Sequence, residues 1–281
     1  MRVALAQLSS SDDPDANLEA TLSCLEKARG ADLIVTPEVT NCVSLDRVHQ
    51  RTVLKQEADD RTLAAVRAKA AEIGTWVSIG SLAVSSGDAD GRFVNRSFLI
   101  APDGSVAARY DKIHMFDVSL SQESFRESDG YRPGTESVLV DIGLTMLGLT
   151  ICYDIRFPSV FRNLAQAGAD VILAPLAFTV ETGGAHLETL LRARAIETGS
   201  YVVAAAQTGT HHAKTGRRRE TYGHSMVVDP WGNVLLDAGS DFGVFEIDLN
   251  LELVSQARHR IPVLEHGREF ASAAWTKPTK T

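Results

Sequence analysis

The chain has 281 residues, of which 44% are hydrophobic and 23% charged, enough for a full core in one large domain or two small ones. A net charge of −8 and a pI near 5.5 speak against a general nucleic-acid or membrane surface, while leaving room for a small basic pocket. The three cysteines, Cys24, Cys42 and Cys152, are widely spaced, odd in number and without CxxC spacing, so neither a disulfide framework nor a zinc knuckle is indicated, and a reducing cytoplasm is the expected setting. The opening MRVALAQLSS is too short an apolar run for a signal peptide, and no apolar run has the length of a membrane span, so a cytoplasmic chain is expected.

In chain order, Val3 to Leu8 reads as a central strand. Asp12, Asp13, Pro14 and Asp15 then cap a helix whose apolar stripe is Leu18, Leu22, Leu25 and Ala28, closed by Gly30. A short apolar strand from Asp32 runs into Thr36-Pro37-Glu38; proline ends the ladder, so Glu38 sits just past a strand end. Asp59, Asp60 and Thr62 start a second helix along Leu63, Val66, Ala70 and Ile73, which Gly74 ends. Strands at Trp76 to Ile79 and Ser97 to Ile100 flank a turn-rich loop, and Pro102-Asp103-Gly104 turns the chain into the strand Val106 to Tyr110. That strand delivers Lys112. Residues 119 to 137 show no period and read as a long loop, functional or mobile.

Met146 to Ile151 is an apolar, β-prone run that stops at Cys152, with Pro158 placed for the first turn of a helix. A thiol therefore stands where a buried strand turns into a helix, among backbone N–H groups and a helix N-terminus that favour the thiolate. Phe161, Leu164 and Ala165 mark a helix ending at Gly168, and Asp170 to Pro175 is another short strand. Gly183 to Ala185 lead into a helix through Leu187, Leu190, Leu191 and Ala195, and Tyr201 to Ala206 is a strand. Gly209 to Glu220 is a basic polar loop, followed by a hairpin around Pro230-Trp231-Gly232, a last strand at Phe242 to Ile247 and a helix at Leu249 to Arg258. From about Met146 the order of elements resembles that of the first half. Helices alternating with buried strands, together with hairpins, predict an α/β chain with mixed sheets.

Glu38, Lys112 and Cys152 all stand at the ends of apolar strands. A thiol needs a base to become a nucleophile, and Glu38 can take its proton if burial raises the carboxyl pKa. Lys112, kept positive near carboxylates, can hold the thiolate and then an oxyanion. Spacing alone leaves a thiol hydrolase and a buried structural cysteine both open.

Three stretches taken together resemble the signatures of the nitrilase superfamily of carbon–nitrogen hydrolases: LIVTPE ending at Glu38, YDKIHMFD holding Lys112 and LTICYDIRFP holding Cys152. GAHLETLLRARAIETGSYVVAAAQTGTHH from Gly184 and YGHSMVVDPWG from Tyr222 resemble its Nit branch and, within it, the deaminated glutathione amidases. The resemblance implies an α/β four-layer α-β-β-α sandwich with two mixed β-sheets. It implies a single domain over residues 1–281, a tail from about 262 that is extended or at a dimer interface, and a homodimer or higher homo-oligomer. Glu38 would be the general base, Lys112 the oxyanion stabiliser and Cys152 the nucleophile. A second glutamate would follow the lysine; Glu123 and Glu127 are candidates, and the distance back from Pro133-Gly134 favours Glu127. Tyr153 would give its backbone N–H to the oxyanion, Arg156 would bind a substrate carboxylate unless it pairs with Asp154, and Thr179 would line the pocket. His186 reads as a packing residue, Cys42 as structural, and His211, His212 and Arg217 to Arg219 as pocket rim or solvated loop. The implied activity is Cys-dependent cleavage of the terminal amide of a small α-keto acid amide, deaminated glutathione-like, to acid and ammonia through a thioester. No metal or organic cofactor is expected. The alternatives are ω-amidase action on α-ketoglutaramate, N-carbamoyl amino acid hydrolysis, and a catalytically silent scaffold.

Overall fold

The apolar runs of the first half assemble into one sheet. In the computed structural model, which describes residues 1–121, 124–214 and 218–273, its strands are β1 (Arg2–Gln7), β2 (Leu33–Val35), β3 (Trp76–Ser85), β4 (Phe93–Ile100) and β5 (Val106–Asp111). Two short ribbons and a second sheet follow. One ribbon pairs β6 (Asp117–Ser119) with β7 (Ser124–Arg126). The second sheet contains β8 (Val138–Asp141), β9 (Met146–Leu149), β10 (Val171–Leu173) and β11 (Tyr201–Ala204). The other ribbon pairs β12 (Thr208–Thr210) with β13 (Glu220–Tyr222), and β14 (Met226–Val228) and β15 (Val234–Asp237) complete the second sheet. The last strand, β16 (Gly243–Asp248), returns to the first sheet and lies antiparallel to β1.

The sheet orders are β16-β1-β2-β3-β4-β5 and β8-β9-β10-β11-β14-β15. From either end named first, the pairings run antiparallel, parallel, parallel, antiparallel, antiparallel. The repeated order of elements seen in the sequence is thus a repeated topology. In both halves the parallel pairs are joined by crossovers that carry helices, as parallel pairing requires. The helices are α1 (Pro14–Lys27), α2 (Arg47–Val53) and α3 (Arg61–Ile73) in the first half, and α4 (Pro158–Gln166), α5 (Val180–Thr198) and α6 (Glu252–Arg260) in the second.

Strand alternation sorts the core into layers. Val3 and Leu5 of β1 join Leu147 and Leu149 of β9, while Ala4 between them packs with Leu25 of α1 and Val66 of α3. The other side of the second sheet is covered by Phe161 and Leu164 of α4 and by Leu187 and Leu191 of α5. The result is the four-layer α-β-β-α sandwich with two mixed sheets.

Asp13 caps α1 by accepting from the Asp15 and Ala16 N–H groups, and Asp60 caps α3 through Leu63 N at 2.8 Å. The buried face of α1 is rotated from the expected stripe. Asn17, Thr21, Cys24 and Leu25 point inward and Leu18 and Leu22 are only half-buried, because Asn17 donates to the Ser11 and Asn41 carbonyls at 2.9 and 2.8 Å. The stretch 119–137 is also more ordered than expected: it holds β7 and a short 3-10 turn, Glu127–Asp129.

Candidate active site

β2 and β5 of the first sheet and β9 of the second deliver three side chains to one place. After β2 the chain passes close over β3: a Cβ at Gly80 would lie 2.0 Å from the Thr36 carbonyl oxygen, so only glycine admits the approach that aims Glu38 inward. Glu38 is 4% exposed, and its carbonyl accepts from Gln207 Nε2 at 3.0 Å. Lys112, one residue past β5, is 2% exposed. Its Nζ lies 2.8 Å from Glu38 Oε1, and 3.0 and 2.9 Å from the two oxygens of Glu127. Glu127 also accepts from the Phe116 N–H at 2.6 Å. Glu127 is therefore the glutamate that meets the lysine; Glu123 lies outside the described residues.

Cys152 is 7% exposed and has φ 46, a left-handed conformation uncommon for a residue with a β-carbon. The turn that imposes it is held by buried Asp154, which accepts from Ile151 N at 2.9 Å, Tyr110 Oη at 2.6 Å and His114 N at 3.0 Å. The Cys152 N–H is used by the Pro175 carbonyl at 2.9 Å. Its sulfur stands beside the Glu38 carboxylate and the Ala177 N–H, both of which act on the charge state of the thiol.

Electrostatics reverse two expectations. Burial first, and then the Glu38 charge, push the Cys152 thiol well above its ordinary range, against the pull of Lys112. Burial also pushes Glu38 upward, but the charges of Lys112 and Arg219 and the Lys112 hydrogen bond outweigh it, so its carboxyl falls below the usual range. The resting pair is thus a neutral thiol beside an ionised carboxylate, not a thiolate beside a protonated acid. Lys112 is pulled down by burial and raised more strongly by Glu127 and Glu38, so it stays charged.

These groups open on a cavity of about 350 Å³. Asn95, buried on β4, bridges the carboxylates by donating to Glu38 Oε1 at 2.9 Å and Glu127 Oε1 at 3.5 Å. It went unread because a polar residue inside an otherwise apolar strand carries no motif; an asparagine on a buried strand face was the available signal.

The sequence model of the family described as Carbon-nitrogen hydrolase matches residues 2–259. The chain belongs to the carbon–nitrogen hydrolase family. It is 37% identical over 273 residues to a deaminated glutathione amidase of Yersinia enterocolitica, covering 96% of this chain and 94% of the relative. Among solved structures it is similar to the NitFhit protein of C. elegans (TM-score 0.86, 35% identity, 95% of this chain), of which it spans only 65%. It is also similar to Saccharomyces cerevisiae Nit3, described as a member of branch 10 of the nitrilase superfamily (TM-score 0.82, 26% identity, 94% of each chain). The protein is accordingly an amidohydrolase acting on carbon–nitrogen bonds of linear amides, and the silent-scaffold alternative falls away.

Within this carbon–nitrogen hydrolase several expected pocket residues stand elsewhere. Tyr153 lines the cavity, but Arg156 lies behind the wall, over the faces of Phe178 and Tyr153 at 5.4 and 5.9 Å and 3.3 Å from His186 Nδ1. It does not pair with Asp154, whose oxygens are used in holding the turn at Cys152. Thr179 is the N-cap of α5, accepting from Thr182 N, and Thr182 takes its place in the wall. Cys42 also reaches the wall, but burial pushes its thiol up to about 12, which leaves it unreactive near neutral pH. Arg219, expected on a pocket rim or a solvated loop, lines the cavity; Arg217 lies outside the described residues.

His211 is buried rather than part of a rim, at 1% exposure, while His212 is exposed. Its Nδ1 is 2.6 Å from the Ser10 carbonyl and its Nε2 is 2.7 Å from Thr221 Oγ1, so both ring nitrogens are occupied. Among the described residues no group of three or more potential ligands could hold a metal ion. Burial pulls the His211 pKa down to about 4, below the unfolded value near 6.5. A depressed folded pKa gives stability that is present above about pH 6.5 and lost as pH falls towards 4. Between pH 7 and 4.5, urea unfolding should show this component as about 2–3 kcal/mol. His211→Gln should remove it, and an unchanged pH slope in the variant would refute the assignment.

Proposed function

We propose that the chain hydrolyses the ω-amide of a short 2-oxo acid through a thioester on Cys152. The observation that carries this reading is the cluster in which Lys112 Nζ joins Glu38 and Glu127, with Cys152 beside Glu38 on the wall of the same cavity. Glu38 takes the thiol proton as sulfur attacks the amide carbon, and a C–S bond forms. The oxyanion is held by Lys112 and the Tyr153 backbone N–H. Collapse breaks the C–N bond, and Glu38 returns the proton to the departing nitrogen. Glu38 then takes a proton from water, which attacks the thioester; the C–S bond breaks, the acid leaves, and Glu38 returns the proton to sulfur to restore the thiol. Glu127 and Asn95 position Lys112 and Glu38.

The relative named deaminated glutathione amidase supports that compound as substrate. Its γ-amide nitrogen belongs to cysteine, so the leaving group is the dipeptide Cys-Gly; ammonia would be released only from a primary amide such as α-ketoglutaramate. The assay should therefore follow the 2-oxo acid, which both substrates yield. Deaminated glutathione is expected to have the higher kcat/KM. Preference for α-ketoglutaramate would move the assignment to ω-amidase, and turnover of an N-carbamoyl amino acid alone would overturn it.

We also read the chain as one hydrolase domain of a cytoplasmic homodimer or higher homo-oligomer, with a small-molecule partner only. Three free cysteines and a family match reaching residue 259 support this. No helix among the described residues is long and apolar enough to cross a membrane. The tail up to 273 is exposed beyond His266, with its start tethered by Arg162 Nη2 to the Val263 carbonyl at 3.3 Å; residues 274–281 lie outside the described residues. Sedimentation at micromolar concentration tests the assembly: a monomer there contradicts it.

A further inference from the structure

We infer that Arg219 is the specificity-determining residue of the acyl side of the site, holding the carboxylate of the 2-oxo acid while its amide faces Cys152. The inference rests on the amidase reading above and adds the group that selects its substrates.

Arg219 immediately precedes β13, and its own carbonyl accepts from the His211 N–H at 2.8 Å, which ties the loop to a buried residue. Its Nη2 donates to the carbonyl of Ala177. The N–H of that same residue meets the Cys152 sulfur, so the guanidinium is fixed one peptide away from the thiol. Its Nε is buried with no hydrogen-bond partner, although the side chain lines the cavity. Among the described residues no carboxylate lies within ion-pair distance of it.

A buried donor on a charged group is costly to leave unsatisfied, and a ligand acceptor recovers that cost on binding. The other buried cation of the site is already engaged: Lys112 faces three oxygens of Glu38 and Glu127 and is the group assigned to the oxyanion, so a substrate carboxylate needs another partner. Charge points the same way. Glu38, Glu127 and Lys112 together carry one net negative charge, so an anionic substrate is repelled there unless a separate cation receives it. Nε and the remaining N–H of Nη2 form a side-on fork that fits a carboxylate. A carboxylate seated there, one peptide from the nucleophile, suits an acyl chain of only a few carbons between the two groups.

The test uses Arg219→Met and Arg219→Lys in the full chain, with α-ketoglutaramate and a neutral amide, pentanamide, as paired substrates. Loss of the Arg219 charge beside Glu38 acts on both substrates alike, so the readout is their ratio: Arg219→Met should lower kcat/KM for the anionic amide relative to the neutral one by about 10²-fold, mainly through KM, and Arg219→Lys should recover part of that ratio. An equal loss on both substrates means that Arg219 only supports the Ala177 loop, and no loss on the anionic one means that it binds no carboxylate; either overturns the inference. Calorimetry of 2-oxoglutarate binding to Cys152→Ala, with and without Arg219→Met, separates this from the reading it rests on. If the wild type turned over neither amide, the amidase reading would fail, whereas Arg219-dependent 2-oxoglutarate binding would still uphold the carboxylate site and Arg219-independent binding would overturn it. Should Arg219→Met melt far below wild type, Arg219→Gln replaces it in the same comparison.

Discussion

Cys152→Ala is expected to lower kcat by roughly 10⁵- to 10⁶-fold while leaving the fold intact, the scale of loss when a hydrolase nucleophile is removed. The side chain lies at the end of β9, beyond the sheet pairing, and its backbone N–H to Pro175 survives the change. The thiol is neutral at rest, and the buried Glu38 carboxylate keeps Lys112 and Asn95 as partners when the thiol is removed. Thermal unfolding should shift by only a few degrees, and steady-state release of the 2-oxo acid measures the rate. A variant with near wild-type turnover would remove the thiol from the mechanism.

Lys112→Met is expected to cost at least about 10²- to 10³-fold in kcat, as loss of a principal oxyanion donor does. Stability should fall as well, by about 3–5 kcal/mol, because the buried Glu38 and the partly buried Glu127 carboxylates are left without their cation. The pH profile separates these effects. In the wild type Glu38 is held below the usual carboxylate range, so the acid limb of kcat/KM lies at low pH and the base is ionised throughout the neutral range. Without Lys112 the upward push of burial dominates, and the acid limb should move towards neutrality. An acid limb that stays in place would mean that Lys112 does not hold the charge state of Glu38.

Glu38, Lys112 and Cys152 were legible because each ends a short apolar strand, and a strand end next to a proline or a polar turn is a local signal. What the sequence hides is mostly non-local. The antiparallel pairing of β16 with β1 joins residues some 240 positions apart on the chain, and no period announces it. Helix α2, RVHQRTV, buries only Gln50 and so has no apolar stripe to read. Thr179 shows a competing rule: a threonine ahead of a helix is more useful as a cap than as a pocket wall. The same contrast separates two arginines. Arg156 is close to Cys152 in sequence but is drawn onto two aromatic faces, whereas Arg219, in a loop that reads as pocket rim or solvated, is carried inward by the β12–β13 ribbon. The charge states were unreadable too, since they depend on burial and on which cations meet Glu38 in space.

The central claim is that one acyl group passes through Cys152 whatever amine it arrives with. Acid quenching during steady turnover preserves a thioester, and peptide mass spectrometry can then weigh the fragment that holds Cys152. Deaminated glutathione and α-ketoglutaramate should each leave the same adduct, the 2-oxoglutaryl group, on that fragment and on no other. An unmodified Cys152 fragment at every quench time, while the 2-oxo acid accumulates, would contradict the account.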